Sequence, residues 1–333
     1  AKAQTRQSYV VTTGTGSGKS LAFFVPIIDR ILKAKQADPQ KRTRAIVIYP
    51  MNALANSQLE ELDKFLHGYP DDQKPFTVAR YTGQESDADR KQIADNPPDI
   101  LLTNFMMLEL ILTRFEDVDR RVVEHCQGLE FLVLDELHTY RGRQGADVAL
   151  LVRRLRERLQ ASQLVCIGTS ATMSSTGTQA DRNQTVANVA SLLFGAQITE
   201  HDVIGETLER VTNPAKDIEA VKSLLKPALL KESYHWPDFA AFSDDPLAVW
   251  VELSLGIELP LDEPPRRARP VTLGDAAKRL ADDAQCTVED AHAGLQRFLV
   301  AAHDVKTPQG RAPFAFKLHQ FISGGGKVFS TLE

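Results

Sequence analysis

Short apolar segments alternate with amphipathic stretches along residues 1–195. The apolar segments are mostly continuous, which is typical of strands buried on both faces of a parallel sheet. They are Ser8–Thr13, Ala45–Tyr49, Phe76–Tyr81, Ile100–Thr103, Phe131–Leu134 and Leu164–Gly168. Between them, Ala53–Leu66 and Ala146–Leu159 carry leucine and valine at helical spacing. The repeated strand–helix order predicts an α/β fold, a parallel sheet flanked by helices with right-handed crossovers.

The pattern changes near residue 200, beyond which amphipathic helices dominate. Thr272 and Thr287 each stand three residues before an aspartate, which predicts two capped helix starts. The segment Pro260–Pro270 is too rich in proline for a helix and predicts an exposed connector. We therefore expect an α/β domain over residues 1–199 and a mainly α-helical accessory domain over residues 200–333.

Composition adds few constraints. The chain has 333 residues, of which 43% are apolar and 25% charged, as in ordinary globular proteins. It contains no long apolar run and no signal-peptide pattern, so we expect no membrane association. Its three cysteines form no C-x-x-C pair, which fits a reducing, cytoplasmic location. Because the net charge is −5, any nucleic acid must bind in a local groove rather than through the overall field.

A glycine-rich turn follows the first predicted strand and precedes a helix. Glycines let consecutive N–H groups point at phosphate oxygens, and the helix start adds its positive dipole end. The turn departs from G-x-x-x-x-G-K-[ST] only at Thr13, and in it Lys19 is expected to reach the phosphates and Ser20 to ligate Mg²⁺. The alternative is a turn that binds nothing. The predicted nucleotide-binding residues are Thr13, Gly14, Thr15, Gly16, Ser17, Gly18, Lys19 and Ser20.

A second motif lies at the end of the fifth predicted strand, where two carboxylates follow an apolar run. Asp135 is suited to holding Mg²⁺, and Glu136 to polarising the water that attacks a γ-phosphate. The alternative is a pair of ordinary exposed strand-end acids. His138 is interpreted as coupling this site to the next motif, or else as a polar strand-end residue. That next motif is Ser170-Ala171-Thr172, whose hydroxyl groups are expected to sense the loss of the γ-phosphate.

These three motifs, TGTGSGKS, DELH and SAT, together resemble motifs I, II and III of DEAD/DEAH-type superfamily 2 helicases. The resemblance covers about residues 8–195 and implies a RecA-like P-loop NTPase domain that uses ATP and Mg²⁺. Three further segments resemble the family's nucleic-acid contacts: Tyr49–Leu54, Tyr81–Gly83 and Asp99–Asn104. Such contacts grip the backbone and do not read the bases. The residues expected to make them are Met51, Asn52, Ala53, Thr82, Gly83, Thr103 and Asn104.

The longer segment Leu134–Leu155 resembles a narrower branch, large bacterial helicases with a C-terminal cysteine-containing domain, including those of the Druantia and DISARM anti-phage systems. Phe316–Phe321 is also similar to that branch. The likeness implies DNA as the track, either single-stranded or a duplex with a single-stranded region, and partner proteins of a defence system. A second RecA-like domain, expected to supply an arginine finger from a Q-x-x-G-R-x-x-R pattern, is absent from this sequence.

Other interpretations of the same residues stay open at this point. The chain is alternatively a phosphate-loop ATPase of another class, or a non-catalytic nucleic-acid-binding scaffold that keeps the fold. Residues 200–333 are interpreted as a helical scaffold for a neighbouring domain. The arginines of the second long helix are expected to form a solvated surface paired with Glu157 and neighbouring acids, and the alternative is a DNA-binding patch. They are Arg153, Arg154, Arg156 and Arg158.

Overall fold

The computed structural model describes residues 2–13, 19–70, 73–170, 178–260 and 264–314. The chain divides into two compact units, Ala1–Glu206 and Thr207–Glu333. The strands of the first unit are β1 (Tyr9–Thr12), β2 (Ala45–Tyr49), β3 (Val78–Tyr81), β4 (Ile100–Asn104), β5 (Phe131–Leu134), β6 (Val165–Ser170) and β7 (Val203–Gly205). Its helices are α1 (Lys19–Ala37), α2 (Asn52–Leu66), α3 (Asp87–Asp95), α4 (Phe105–Thr113), α5 (Asp117–Glu124), α6 (Gly142–Arg158) and α7 (Gln179–Phe194).

Within the described residues these strands form one seven-stranded sheet in the order β3-β4-β2-β5-β6-β1-β7. All neighbouring strands pair in parallel. The predicted α/β fold with a parallel sheet is therefore confirmed. The sequence predicted six strands, and the seventh, β7, was not predicted. It has only three residues, two of them exposed, so it lacks the apolar run that marks the others.

Alternate residues of each central strand face opposite sides of the sheet, and both sides are covered by helices. In β5, Leu132 and Leu134 belong to the core beneath α3, α4, α5, α6 and α7. Phe131 and Val133 belong to the core beneath α1 and α2. This double burial explains why the strand sequences are continuously apolar.

The two helices predicted from spacing are present, but one leucine of the helical pattern in α2, Leu54, is not buried. The valines and leucines expected to face the core from α6 are buried. In α2, Leu62 and Leu66 are buried, but Leu54 is 37% exposed. Leu54 lies in the first turn of α2, close to Met51, which is also exposed.

The second unit is mainly helical, as expected. Its helices are α8 (Ile218–Leu229), α9 (Phe239–Ser243), α10 (Pro246–Val251), α11 (Leu273–Ala284) and α12 (Val288–His303), with a two-stranded ribbon of β8 (Ile257–Glu258) and β9 (Arg266–Arg267). Thr272 and Thr287 cap α11 and α12, as the sequence predicted. The proline-rich connector is not wholly irregular, since it contributes β9. No helix in the described parts of either unit is long and apolar enough to cross a membrane.

Candidate nucleotide and nucleic-acid sites

The phosphate-loop residues lie between β1 and α1. Thr13 directly follows β1, and Lys19 and Ser20 are the first two residues of α1. The predicted loop residues Gly14, Thr15, Gly16, Ser17 and Gly18 lie outside the described residues. The order of strand, glycine-rich segment and helix is the one that the motif requires.

The acid pair lies beside Lys19. Asp135 and Glu136 directly follow β5, and the backbone N–H of Asp135 donates to the carbonyl oxygen of Ile48 in β2 at 3.0 Å. The Nζ atom of Lys19 lies 3.5 Å from Oε1 of Glu136. Only β6 separates β5 from β1 in the sheet, so the carboxyl ends of these two parallel strands lie at the same edge. The lysine and the acids can therefore reach the same small ligand.

Thr169 joins the two acids and was missed by the sequence analysis. Its hydroxyl donates to Oδ1 of Asp135, and the N–H of Glu136 donates to the same hydroxyl oxygen at 3.0 Å. Glu136 adopts a left-handed backbone conformation with φ of 52°, which is costly for a residue with a side chain. Thr169 is fully buried in β6, the strand that lies between β5 and β1 in the sheet. The signal was its place directly before the SAT motif, where a threonine also suits an ordinary strand.

The site carries several buried polar atoms that lack a hydrogen-bond partner in the described part of the chain. They include Nζ of Lys19, Oε2 of Glu136 and Nδ1 of His138. Burial raises the pKa of Asp135, and Glu136 raises it further, while the Thr169 hydroxyl and Lys19 act in the opposite direction. Unpaired buried polar groups and a carboxyl with a raised pKa are features expected where a polar ligand and a cation bind. Oxygen donors of this type fit Mg²⁺.

Two tyrosine hydroxyls lie near the acid pair. Tyr49 at the end of β2 and Tyr140 after the DELH segment are 1% and 2% exposed, and neither hydroxyl has a partner among the described residues. Burial raises the pKa of both, and the charge of Asp135 adds to the shift. His138 is closer to the acids, since its Nδ1 lies 3.2 Å from Oε2 of Glu136 without the alignment of a hydrogen bond.

The third motif is described only in part. Ser170 is the last residue of β6, fully buried and in register with Thr12 of β1. Ala171 and Thr172 lie outside the described residues. The coupling role predicted for this motif and for His138 stays a prediction.

The three segments predicted to bind nucleic acid meet at the same sheet edge through one side chain. The amide of Asn104 donates to Oδ1 of Asn52 at 2.7 Å and to the carbonyl oxygen of Thr82 at 3.1 Å. Its own oxygen accepts from the N–H of Met107 and so caps α4. The hydroxyl of Thr103 donates to the carbonyl oxygen of Tyr81 at 2.6 Å. These segments, which resemble the family's nucleic-acid contacts, therefore lie together in the structure, and their role in binding nucleic acid stays a prediction.

The remaining predicted contacts lie at the start of α2 and in the turn after β3. Met51 precedes α2 without capping it by a side chain and is 62% exposed, and Ala53 in the first turn is also exposed. Gly83 is exposed and has φ of 89°, a conformation that favours glycine. Glu85, which the sequence analysis did not single out, accepts hydrogen bonds from the N–H groups of Thr82 and Gly83.

The expected solvated surface of α6 arginines is present in part: Arg153, Arg154 and Arg158 are exposed, and Arg154 pairs with an acid, whereas Arg156 is partly buried. Arg154 forms a bidentate ion pair with Glu109 of α4, with N–O distances of 2.6 and 3.2 Å. Arg153 and Arg156 donate to the carbonyl groups of Leu192 and Phe194 at the end of α7. These contacts hold α6, which follows the acid pair, against two neighbouring helices.

Several known proteins are similar to this chain in sequence. The chain is 34% identical over 173 residues to the uncharacterized ATP-dependent helicase YprA of Bacillus subtilis, an alignment that covers 51% of this chain and 21% of that protein. It is 26% identical over 274 residues to Druantia protein DruE of Escherichia coli, covering 50% of this chain and 15% of that protein. The chain thus spans about a fifth or less of the length of these relatives.

A solved structure of Mycobacterium smegmatis helicase Lhr bound to ssDNA and AMP-PNP has a TM-score of 0.48 and 24% identity. That alignment covers 70% of this chain and 30% of that chain. The family model for the DEAD/DEAH box helicase matches residues 1–180, more than half of the sequence. The chain belongs to the DEAD/DEAH box helicase family.

Proposed function

We propose that this chain is the ATP-binding half of a helicase or translocase that couples ATP hydrolysis to movement on DNA. The observation that carries the proposal is the meeting of Lys19 with the acid pair, 3.5 Å from Glu136. The unpaired buried atoms there fit a triphosphate and its cation. A scaffold without catalytic function would have no physical need for such costly unpaired groups.

In this proposal Lys19 binds the β- and γ-phosphates, and Ser20 and Asp135 hold Mg²⁺. Bound Mg²⁺ would neutralise charge on the phosphates. Glu136 orients and polarises the attacking water, since its Oε2 atom is free of hydrogen bonds. Thr169 fixes both acids, and Ser170 and Thr172 with His138 couple hydrolysis to the track. The arginine finger comes from a second RecA-like domain, so the chain by itself hydrolyses ATP slowly.

A nucleic-acid track is supported by the surface at the carboxyl ends of β2, β3 and β4, where Asn104 links three segments. Helix starts and polar side chains at that edge suit a phosphate backbone. The similarity to Druantia protein DruE supports a further proposal, that the chain acts in anti-phage defence with partner proteins. Loss of phage resistance in cells that carry Glu136→Gln is the test of that role.

The test of the main proposal measures ATP binding and DNA-stimulated ATP turnover. We expect ATP to bind this chain in the presence of Mg²⁺, and single-stranded DNA to stimulate turnover once the second domain is supplied. ATP turnover that DNA leaves unchanged would favour a phosphate-loop ATPase of another class. No binding of ATP or ADP would favour the non-catalytic scaffold.

A further inference from the structure

The turn after β3 contains an anion site that is already filled by the chain itself. Oε2 of Glu85 accepts from the N–H groups of Thr82 and Gly83 at 2.7 and 2.9 Å. Oε1 accepts from the Thr82 hydroxyl at 3.0 Å. Consecutive N–H groups that converge on one oxygen form the kind of concavity that binds phosphate in other proteins. Here the carboxylate of Glu85 takes that place.

The carboxylate is also held from outside the turn. Nε of Arg80 in β3 donates to Oε1 of Glu85 at 2.7 Å, and Nη1 of the same arginine donates to Oδ1 of Asn56 in α2 at 2.5 Å. The Glu85 side chain is 5% exposed. The network therefore links the turn to the helix that begins at Asn52. Asn104 provides a second link between the same turn and helix, since its amide donates to both Asn52 and Thr82.

We propose that Glu85 is a positioning residue for the nucleic-acid track, which shapes the Thr82–Gly83 turn by filling its own amide site. This inference rests on the proposed function, because it assigns a role in DNA binding. Every N–H and O–H donor of Thr82 is used by Glu85, and so is the N–H of Gly83. In this proposal the turn contacts the nucleic acid through its backbone shape and the surface of Gly83. Residues of the neighbouring segments contact the phosphates.

Removing the carboxylate is expected to loosen the turn. In Glu85→Ala, two amide groups and a hydroxyl lose their shared acceptor, and Arg80 loses its ion pair. We expect the amides of Thr82 and Gly83 to exchange hydrogen at least about tenfold faster, and the affinity for labelled oligothymidylate to fall about tenfold. The affinity for ATP should stay unchanged, since the turn lies away from Lys19 in the strand order.

The matched control is Asp87→Ala, which removes the same charge two residues away from a side chain that is 95% exposed. It should leave the amide exchange of the turn and the DNA affinity unchanged. Glu85→Gln should lie between wild type and Glu85→Ala, because the amide oxygen can still accept from the two N–H groups. Circular dichroism and the melting temperature separate a local effect from unfolding.

The outcomes distinguish this inference from the proposed function. If Glu85→Ala leaves amide exchange in the turn at the wild-type rate, the carboxylate does not hold the turn and the inference is wrong. DNA binding as tight as in wild type, or tighter, with faster exchange would overturn the positioning role and make Glu85 a competitor of the phosphate. If wild-type protein binds ATP but no DNA, the positioning role and the proposed function both fail, whereas a defect confined to Glu85→Ala would support both.

Discussion

The Nζ atom of Lys19 lies 3.5 Å from Oε1 of Glu136, although the two residues follow different strands of the sheet. The side chain of Lys19 is 11% exposed and that of Glu136 is 21% exposed. In the absence of nucleotide the two opposite charges compensate each other. In the proposed function, a bound triphosphate would become the partner of Lys19, which would free the carboxylate of Glu136 to orient water.

Glu136→Gln is expected to lower the rate of ATP hydrolysis by about 10² to 10⁴-fold, the usual contribution of a positioned base. Nucleotide affinity should change little, because the amide keeps the size of the side chain and Lys19 still binds the phosphates. Steady-state ATP turnover with DNA, and the dissociation constant for a labelled ATP analogue, measure the two effects. Glu157→Gln on the exposed side of α6 is the control and should retain wild-type turnover. Unchanged turnover in Glu136→Gln would reject the assignment of the base.

Thr169→Val removes the hydroxyl that joins the acids while keeping the branched shape of the side chain. Asp135 loses its donor and the N–H of Glu136 loses its acceptor, so we expect the free energy of unfolding to fall by about 1 to 3 kcal/mol. Turnover should fall at least about tenfold, because the left-handed conformation of Glu136 loses its support. Thr169→Ser keeps the hydroxyl and should recover most of both quantities. If Val and Ser variants behave alike, the hydroxyl has no positioning role.

The motifs and the sheet were predictable because each depends on local sequence. Continuous apolar segments identify buried parallel strands, and glycines before Lys19 identify a phosphate loop. The seventh strand and the link through Thr169 were not predictable, since both depend on which strands become neighbours. Spacing along the chain does not indicate that β6 lies between β1, which precedes Lys19, and β5, which precedes Asp135.

The segments predicted to bind nucleic acid were likewise predictable only in part. Their positions follow from strand ends, but the link made by Asn104 depends on β2 and β4 pairing in parallel. The contacts of Glu85 were not predicted, because an acid after a glycine turn is common on any surface. Only the backbone conformation turns two N–H groups toward one oxygen. The contacts of Arg153 and Arg156 with α7 were not predicted, because helical periodicity does not indicate that α7 ends beside them.

Asn104 both caps α4 and links the other two segments, and a substitution can separate these roles. Asn104→Ser keeps an oxygen that caps the helix, but it loses the amide donor to Asn52 and Thr82. We expect the half-saturating concentration of single-stranded DNA in ATPase assays to rise about tenfold, with little change in the melting temperature or in the half-saturating ATP concentration. The same DNA dependence in wild type and Asn104→Ser would show that the link does not matter for the track.

The contribution of Glu85 to stability should depend on pH. Burial raises the pKa of this carboxyl, but hydrogen bonds from Thr82 and the Arg80 guanidinium outweigh burial, so that the pKa lies below its ordinary value of 4.5. Other groups near the turn are Asn56, which is neutral, and the capping pair Ser86 and Asp89. A lowered pKa means that the stabilisation is complete above the ordinary value and is lost as the pH falls through the lowered one.

The melting temperature of wild type should therefore exceed that of Glu85→Gln at neutral pH, and the gap should close as the pH falls below 4.5. Differential scanning calorimetry across that range measures the gap. Glu60→Gln, at an exposed position on α2, is the control for the loss of one negative charge. A gap that widens on acidification would mean that Glu85 is protonated in the folded protein.

Tyr49 offers a test of whether the site is strained without its ligand. Its hydroxyl is buried and has no partner among the described residues, and such a group costs about 1 to 3 kcal/mol. Tyr49→Phe keeps the ring and removes the unpaired oxygen, so the free energy of unfolding measured in urea without nucleotide should rise by about 1 kcal/mol. Tyr9→Phe is the matched control, because the Tyr9 hydroxyl donates to the carbonyl oxygen of Ala22 at 3.1 Å. That variant should lose stability, and a loss of equal size in Tyr49→Phe would show that the Tyr49 hydroxyl is hydrogen-bonded in solution.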